Sequence, residues 1–363
     1  MNRSILAAAL AGLALPAAPA LADGDLHLYI WSDYITDAAI ERFTAETGIN
    51  VTVDVYDSNE TLEARMLAGA SGYDVVVPTA DFMARQIAAG VYQPLNYDLL
   101  PNASNMDAGL MGEAATFDAG NEHAVIYMWG TTGIGYNIDA IAERLGEDYE
   151  VNSWDLIFNP EIAAKVADCG ISFLDAPTEM LPAALAYLGL DPQTRDADQL
   201  EAAANLLSSV RQYVRYFHSS QYISDLANGE TCVAVGWSGD VFQAAARAEE
   251  AGQGVNVWYA IPQEGALVWF DMLAIPSDAP NPENAHAFIN FLMQPDVIAE
   301  ITDYVWYANG NRASWPLVNE EITSDPAIFP TQDVLDKLFT AVTTDARTDR
   351  LITRLWTRVR TGQ

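Results

Sequence analysis

From residue 26 to residue 89 the hydrophobic rhythm switches repeatedly between the two-residue period of strands and the three-to-four-residue period of helices. Residues 26–30 form a short strand pattern. Thr36 reads as the N-cap of a helix with Ile40 and Phe43 on its apolar side, and Gly48 ends it. Val51, Val53 and Val55 alternate with polar neighbours, a second strand. Leu62, Met66 and Leu67 fit a second helix. Residues 73–77 are a near-continuous apolar run, expected of a strand buried on both faces. Pro78 stops it, Thr79 and Asp81 lie in the loop beyond, and residues 83–89 are helical again. Strands and helices in strict alternation predict a parallel sheet with helices on its faces.

A second series of the same kind follows. Residues 123–129 and 134–138 look extended, and Gly130-Thr131-Thr132-Gly133 between them suits a hinge where the chain crosses from one lobe to another. Residues 169–174, 214–217 and 232–235 read as strands, with helices over 181–188, 200–210 and from Ser219 or Ser220 to Leu226. Residues 255–261 and 266–275 are rich in β-branched and aromatic residues, and carry the chain back with a bend at Pro262 and Gly265. Residues 282–293 are an amphipathic helix, Tyr307 to Arg312 a polar loop, and the rest helical. The expected division is 23–132 and 258–309 for a first lobe, and 133–257 and 310–363 for a second.

The first 22 residues have the composition of a secretory leader. Arg3 supplies the positive start, an apolar stretch runs over 5–15, and Ala20-Leu21-Ala22 offers a small-x-small cleavage site. The apolar stretch is too short to span a bilayer. Removing the leader leaves 341 of the 363 residues, enough for two lobes of ordinary size. Export to an oxidising compartment favours a disulfide between Cys169 and Cys232, with two buried free thiols as the other reading. Neither cysteine has the spacing of a metal ligand, so no metal or other cofactor is expected. The net charge of −33 reads as a solubility or high-salt adaptation of the surface, and it repels nucleic acid while concentrating small cations.

Three aromatic-plus-acid clusters fall at strand positions: Trp31-Ser32-Asp33-Tyr34, Gly236-Trp237-Ser238-Gly239-Asp240 and Trp269-Phe270-Asp271. In open parallel sheets, ligands collect beyond the carboxyl ends of strands. Thr79 and Glu179 also follow predicted strands. Indole faces attract ammonium groups, and carboxylates hydrogen-bond to them with charge assistance. Several acids with few bases require a cation supplied from outside, because a buried carboxylate without a partner is costly. The clusters are therefore expected to converge on one organic cation.

Catalytic patterns are weak. Gly236-x-Ser238-Gly239-Asp240 misses the last glycine of a nucleophile elbow. Gly133-x-Gly135 lacks the third glycine of a dinucleotide fingerprint, since Ile138 stands there. The histidines, His27, His123, His218 and His286, are scattered. Paired acids leave a glycosidase-like exported hydrolase as an alternative, and a binding protein for a sugar or quaternary amine as another.

At Trp31-Ser32-Asp33-Tyr34-Ile35, Phe173-Leu174-Asp175-Ala176-Pro177, Phe217-His218-Ser219-Ser220-Gln221-Tyr222 and Gly236-Trp237-Ser238-Gly239-Asp240 the chain resembles the periplasmic polyamine-binding proteins of ABC transporters, putrescine branch. The likeness runs over essentially the whole mature chain. It implies a two-lobe α/β periplasmic-binding-protein fold (type II), with parallel-type sheets flanked by helices and two interlobe crossings. It implies a non-enzymatic, monomeric periplasmic protein that captures putrescine or spermidine between its lobes and delivers it to an ABC permease in the inner membrane. It also implies the Cys169–Cys232 bridge. By the same resemblance, Trp31, Trp237, Trp269 and Tyr307 would box the methylene chain, and Asp240 and Asp271 would hold one ammonium. Ser32 and Asp33 would hold the other end, supported by Tyr34, Thr79, Glu179 and Ser219. Asp81 stands where that branch has a small neutral residue and adds a carboxylate near the pocket. Trp269 replaces a smaller aromatic. Both bear on the choice between diamine and triamine.

Overall fold

The computed structural model describes residues 24–362, so the leader expected at residues 1–22 lies outside the described residues. Its strands are β1 (Gly24–Trp31), β2 (Ile49–Tyr56), β3 (Val75–Val76), β4 (Ala124–Asn137), β5 (Ile171–Phe173), β6 (Val214–Phe217), β7 (Val233–Trp237), β8 (Val257–Ala260), β9 (Val268–Ala274) and β10 (Ala308–Asn309). They lie in the order β2-β1-β3-β9-β4-β7-β5-β6, with β8 and β10 also paired to β4.

Parallel pairing joins β1 to β2 and β3, and β5 to β6 and β7. The local signals act as the sequence requires. Thr36 accepts a hydrogen bond from the Ala39 amide and starts the Asp37–Thr47 helix, and Gly48 stops it at φ 80°. Helices cover both groups of strands, over cores that include Leu28, Ile30, Phe43 and Val76 in one and Trp154, Phe158, Phe173 and Leu207 in the other. The result is the mixed α/β, two-lobe architecture of type II periplasmic binding proteins.

The chain crosses between the lobes within residues 130–133, as expected, but without the expected break between two strands. Gly130 to Gly133 do not break the chain: β4 is one strand, antiparallel to every strand it touches, and it runs through both lobes. Up to Thr131 it pairs with β9 and β10, and from Thr132 with β7 and β8. The glycines are there for close approach. A Cβ on Gly130 would lie 2.8 Å from Ser238 Oγ and 2.9 Å from the Trp269 ring, and one on Gly133 would lie 2.5 Å from Tyr259 Oη.

The chain crosses again between β8 and β9. Because β8 pairs with residues 134–137 of β4, residues 258–260 belong with the second group of strands rather than the first, where they were expected. The tail returns to the second lobe, where the Ala346–Thr361 helix packs on the Ala197–Val210 helix and Arg358 pairs with Glu201. Cys169 and Cys232, with Cα atoms 5.5 Å apart, form a disulfide that ties the start of β5 to the start of β7.

Candidate functional site

The site lies where the strand ends of the two lobes face each other. β1 delivers Trp31, Ser32 and Tyr34, and β2 delivers Tyr56 and Asp57. Thr79 caps the Ala80–Ala88 helix, Glu179 lies in the first turn of the Pro177–Tyr187 helix, and Ser219 precedes the Gln221–Ala227 helix. Trp237 ends β7, Asp240 lies in the first turn of the Ser238–Ala251 helix, and β9 carries Trp269 and Asp271. Tyr307 stands just before β10. Together these residues line a cleft with about 490 Å³ of empty space, open solvent at its mouth included.

Two carboxylates anchor it. Asp271 accepts from the Tyr34 hydroxyl at 2.8 Å and from the Thr79 hydroxyl at 2.7 Å, and Thr79 in turn accepts from the Asn59 amide at 2.8 Å. Asp240 accepts from the hydroxyls of Tyr222 and Tyr307, both at 2.7 Å. The glycines of the Gly236-to-Asp240 stretch make that possible. A Cβ on Gly236 would lie 2.5 Å from the Tyr222 ring, and one on Gly239 would collide with the ring of Tyr307. Both glycines give up side-chain volume so that a tyrosine can reach the aspartate. A third carboxylate, Glu179, accepts from the Thr132 hydroxyl at 2.5 Å.

Aromatic rings wall the space between these acids. Trp31 and Trp237 meet edge to face at 5.5 Å between centroids, and Trp31 leans on Tyr56 at 4.8 Å. Tyr307 contacts Trp269 and Tyr34, each at 5.3 Å. The Trp31 indole is fixed by its N–H donating to the Val77 carbonyl at 2.9 Å. Ser219 Oγ and Trp269 Nε1 are buried with no hydrogen-bond partner among the described residues.

The electrostatics are one-sided. Asp57, Glu179, Asp240 and Asp271 line the cleft, and no Lys, Arg or His does. Asp240, Asp271 and Glu179 are all buried. Burial lifts the Glu179 carboxyl to about 8, Asp271 to about 7 and Asp240 to about 6; their hydroxyl donors pull the other way but do not cancel it. Neighbouring negative charge adds to the rise: Asp81 and Glu60 act on Glu179, and Asp81 and Asp240 on Asp271.

Of the thirteen ligand-binding positions expected from sequence, Trp31, Ser32, Tyr34, Thr79, Glu179, Ser219, Trp237, Asp240, Trp269, Asp271 and Tyr307 line the cleft. Asp33 and Asp81 do not. Asp33, at φ 56°, turns outward and faces Arg247 of the second lobe at 3.4 Å. Asp81 is not in a loop but in the first turn of the Ala80–Ala88 helix, because Thr79 is already the N-cap. It lines a neighbouring interlobe groove with Glu60, Glu63 and Arg85, and burial raises its carboxyl to about 6. Tyr56, Asp57, Asn59, Ser220 and Ile223 also line the cleft and were missed. Tyr56-Asp57 is a further aromatic-acid pair directly after a strand, so its signal was the one used for Trp31 to Tyr34.

Comparison with known proteins places the chain in a family. The sequence model of the bacterial extracellular solute-binding proteins matches residues 38–331. The chain is 55% identical to the putrescine-binding periplasmic protein SpuD of Pseudomonas aeruginosa, over all of this chain and 99% of that one. It is 51% identical to the putrescine-binding periplasmic protein PotF of Escherichia coli, over 93% and 92%. Among solved structures, the spermidine/putrescine ABC transporter substrate-binding protein PotD of Streptococcus pneumoniae superposes with a TM-score of 0.76 at 26% identity, covering 94% of this chain and 99% of that one. The chain belongs to the bacterial extracellular solute-binding protein family, on the branch that holds SpuD and PotF.

Proposed function

We propose that this protein captures putrescine or a related polyamine between its lobes in the periplasm and hands it, as a monomer, to an ABC permease in the inner membrane. One observation carries the reading: three buried carboxylates share an aromatic-walled cleft with no basic side chain in its lining. Such a site is electrostatically incomplete, and a dication with an apolar middle completes it. Trp31, Trp237, Trp269 and Tyr307 would enclose the methylene chain. Asp240 and Asp271 would take one ammonium; Glu179 and Ser32 would serve the other end, with Tyr34, Thr79 and Ser219 supporting. Asp33 would act with Arg247 at the cleft opening, and Asp81 from the adjoining groove.

The relatives are putrescine-binding periplasmic proteins, which favours a binding role over the exported-hydrolase alternative. Asp240 and Asp271 each accept two hydrogen bonds from fixed neighbours, an arrangement suited to holding charge. Calorimetric titration with putrescine, spermidine and a neutral oligosaccharide tests the reading. Heat with the amines alone supports it, and heat with the sugar alone overturns it.

A further inference from the structure

The C-terminal helix inverts the charge of the rest of the chain. Five of the protein's 17 Lys and Arg residues fall between positions 347 and 360, in a molecule of net charge −33. Arg358 and Arg360 are accounted for by Glu201 and Asp175. Arg347, Arg350 and Arg354 are different. They stand at i, i+3 and i+7, one face of the Ala346–Thr361 helix, opposite the side that buries Leu355, Trp356 and Val359. All three are exposed, and among the described residues none of their guanidinium groups has an ion-pair or hydrogen-bond partner.

Helix stability does not account for them. Arg350 and Arg354 repel each other at i,i+4, as do Arg354 and Arg358, and Arg347 lies in the first turn, where the helix dipole disfavours a cation. The inner side of the same helix, through Asp349, Thr353, Trp356 and Arg360, walls the interlobe groove next to the site. Its opposite wall is the first lobe's Ala80–Ala88 helix. The basic face lies on the outer side of the helix that walls this groove, and none of its three arginines lines the groove itself.

We propose that Arg347, Arg350 and Arg354 form a docking face for an acidic segment of the membrane permease, beside the cleft that must open to release the ligand. This rests on the transport reading above. Three guanidinium groups spread along about 10 Å of helix suit discrete carboxylates, which they grip bidentately. An anionic bilayer is the weaker match. No large apolar side chain is exposed on this helix to insert among lipids.

The test uses the full mature protein with its cognate permease reconstituted in nanodiscs, reading putrescine-stimulated ATP hydrolysis against the concentration of binding protein. The triple variant R347E/R350E/R354E is expected to raise the half-saturating concentration at least tenfold. Its putrescine affinity by calorimetry should stay within twofold of the wild type. Raising salt from 0.15 to 0.5 M should weaken the wild type and leave the variant nearly unchanged. If the reversal disturbs folding by circular dichroism, the Arg→Gln triple variant replaces it, with an expected rise of threefold or more. Equal stimulation by variant and wild type overturns the docking face. So does arginine-dependent cosedimentation of the wild type with phosphatidylglycerol vesicles, which would assign the face to lipid. Absence of putrescine binding by the wild type would instead overturn the functional reading itself.

Discussion

Tyr307, from the segment leading into β10, donates to Asp240 Oδ1 at 2.7 Å, while the Asp240 amide donates to the Tyr307 hydroxyl at 3.1 Å. The first residue precedes a strand paired with the β9 side of β4, and the second opens a helix that follows β7. The aspartate is thus positioned from both lobes at once. Its carboxylate has hydrogen-bond donors but no counter-charge in the cleft lining, the condition that a bound amine would relieve.

Replacing either anchoring aspartate by asparagine removes the charge and keeps the shape. Asp240→Asn and Asp271→Asn should each weaken putrescine binding by more than tenfold by calorimetry. The melting temperature of the unliganded protein should stay level or rise slightly, because a buried charge without a cation has been removed. Unaltered affinity in both variants would take these acids out of the site.

Proton linkage gives a second outcome. With Glu179 raised to about 8, Asp271 to about 7 and Asp240 to about 6, the unliganded cleft holds protons near neutrality that an ammonium displaces. Affinity should therefore rise from pH 6 to pH 8. Titrations in buffers of different ionisation enthalpy should show proton release on binding. In the folded state these carboxyls sit above their ordinary values, so the stability they contribute is complete below about pH 4 and is lost as pH climbs through 6 to 8. Acid unfolding elsewhere can mask the low end, so the decline in melting temperature is to be read between pH 6 and 8. Saturating putrescine should flatten it.

Arg247 and Asp33 meet across the cleft opening at 3.4 Å, both partly exposed. A surface pair of this kind is worth about 0–1 kcal/mol. Arg247→Ala should accordingly speed putrescine dissociation by a factor of about 2 to 5. The effect should shrink in high salt, as followed by stopped-flow tryptophan fluorescence.

Asp81 lies beyond the cleft lining but close enough to raise both Glu179 and Asp271. A triamine reaching the adjoining groove would place its third ammonium near Asp81 and Glu60, whereas a diamine would not. Asp81→Asn should therefore cost spermidine more affinity than putrescine, by calorimetry with each. An equal loss for both would make Asp81 a general contributor to the field only.

Much of this was legible in the chain. The strand–helix alternation before residue 90, the Thr36 cap and the Gly48 stop act locally, so they can be read locally. The Trp31 and Trp237 clusters were recognisable because strand ends carry ligands in this class of sheet, and the Asp271 cluster, inside β9, by its repeat of the same aromatic-acid pairing. Gly130 and Gly133 marked the lobe crossing, but a glycine pair also resembles a break between strands, and β4 runs straight through. What requires them is the crowding of Ser238, Trp269 and Tyr259, which are distant in sequence. Asp33 and Asp81 misled for a related reason. Their neighbours point into the cleft, but a positive φ turns Asp33 outward, and the start of a helix aims Asp81 at the next groove. Tyr222, which holds Asp240, carried no mark of its role, because only the fold brings it past Gly236.

Calorimetric titration of the mature protein with putrescine at pH 7.5 tests the central claim most directly. A saturable, one-to-one heat that disappears in the Asp240→Asn/Asp271→Asn double variant is the predicted result. A wild type that gives no heat with putrescine or spermidine, or a double variant that binds as well as the wild type, would contradict it.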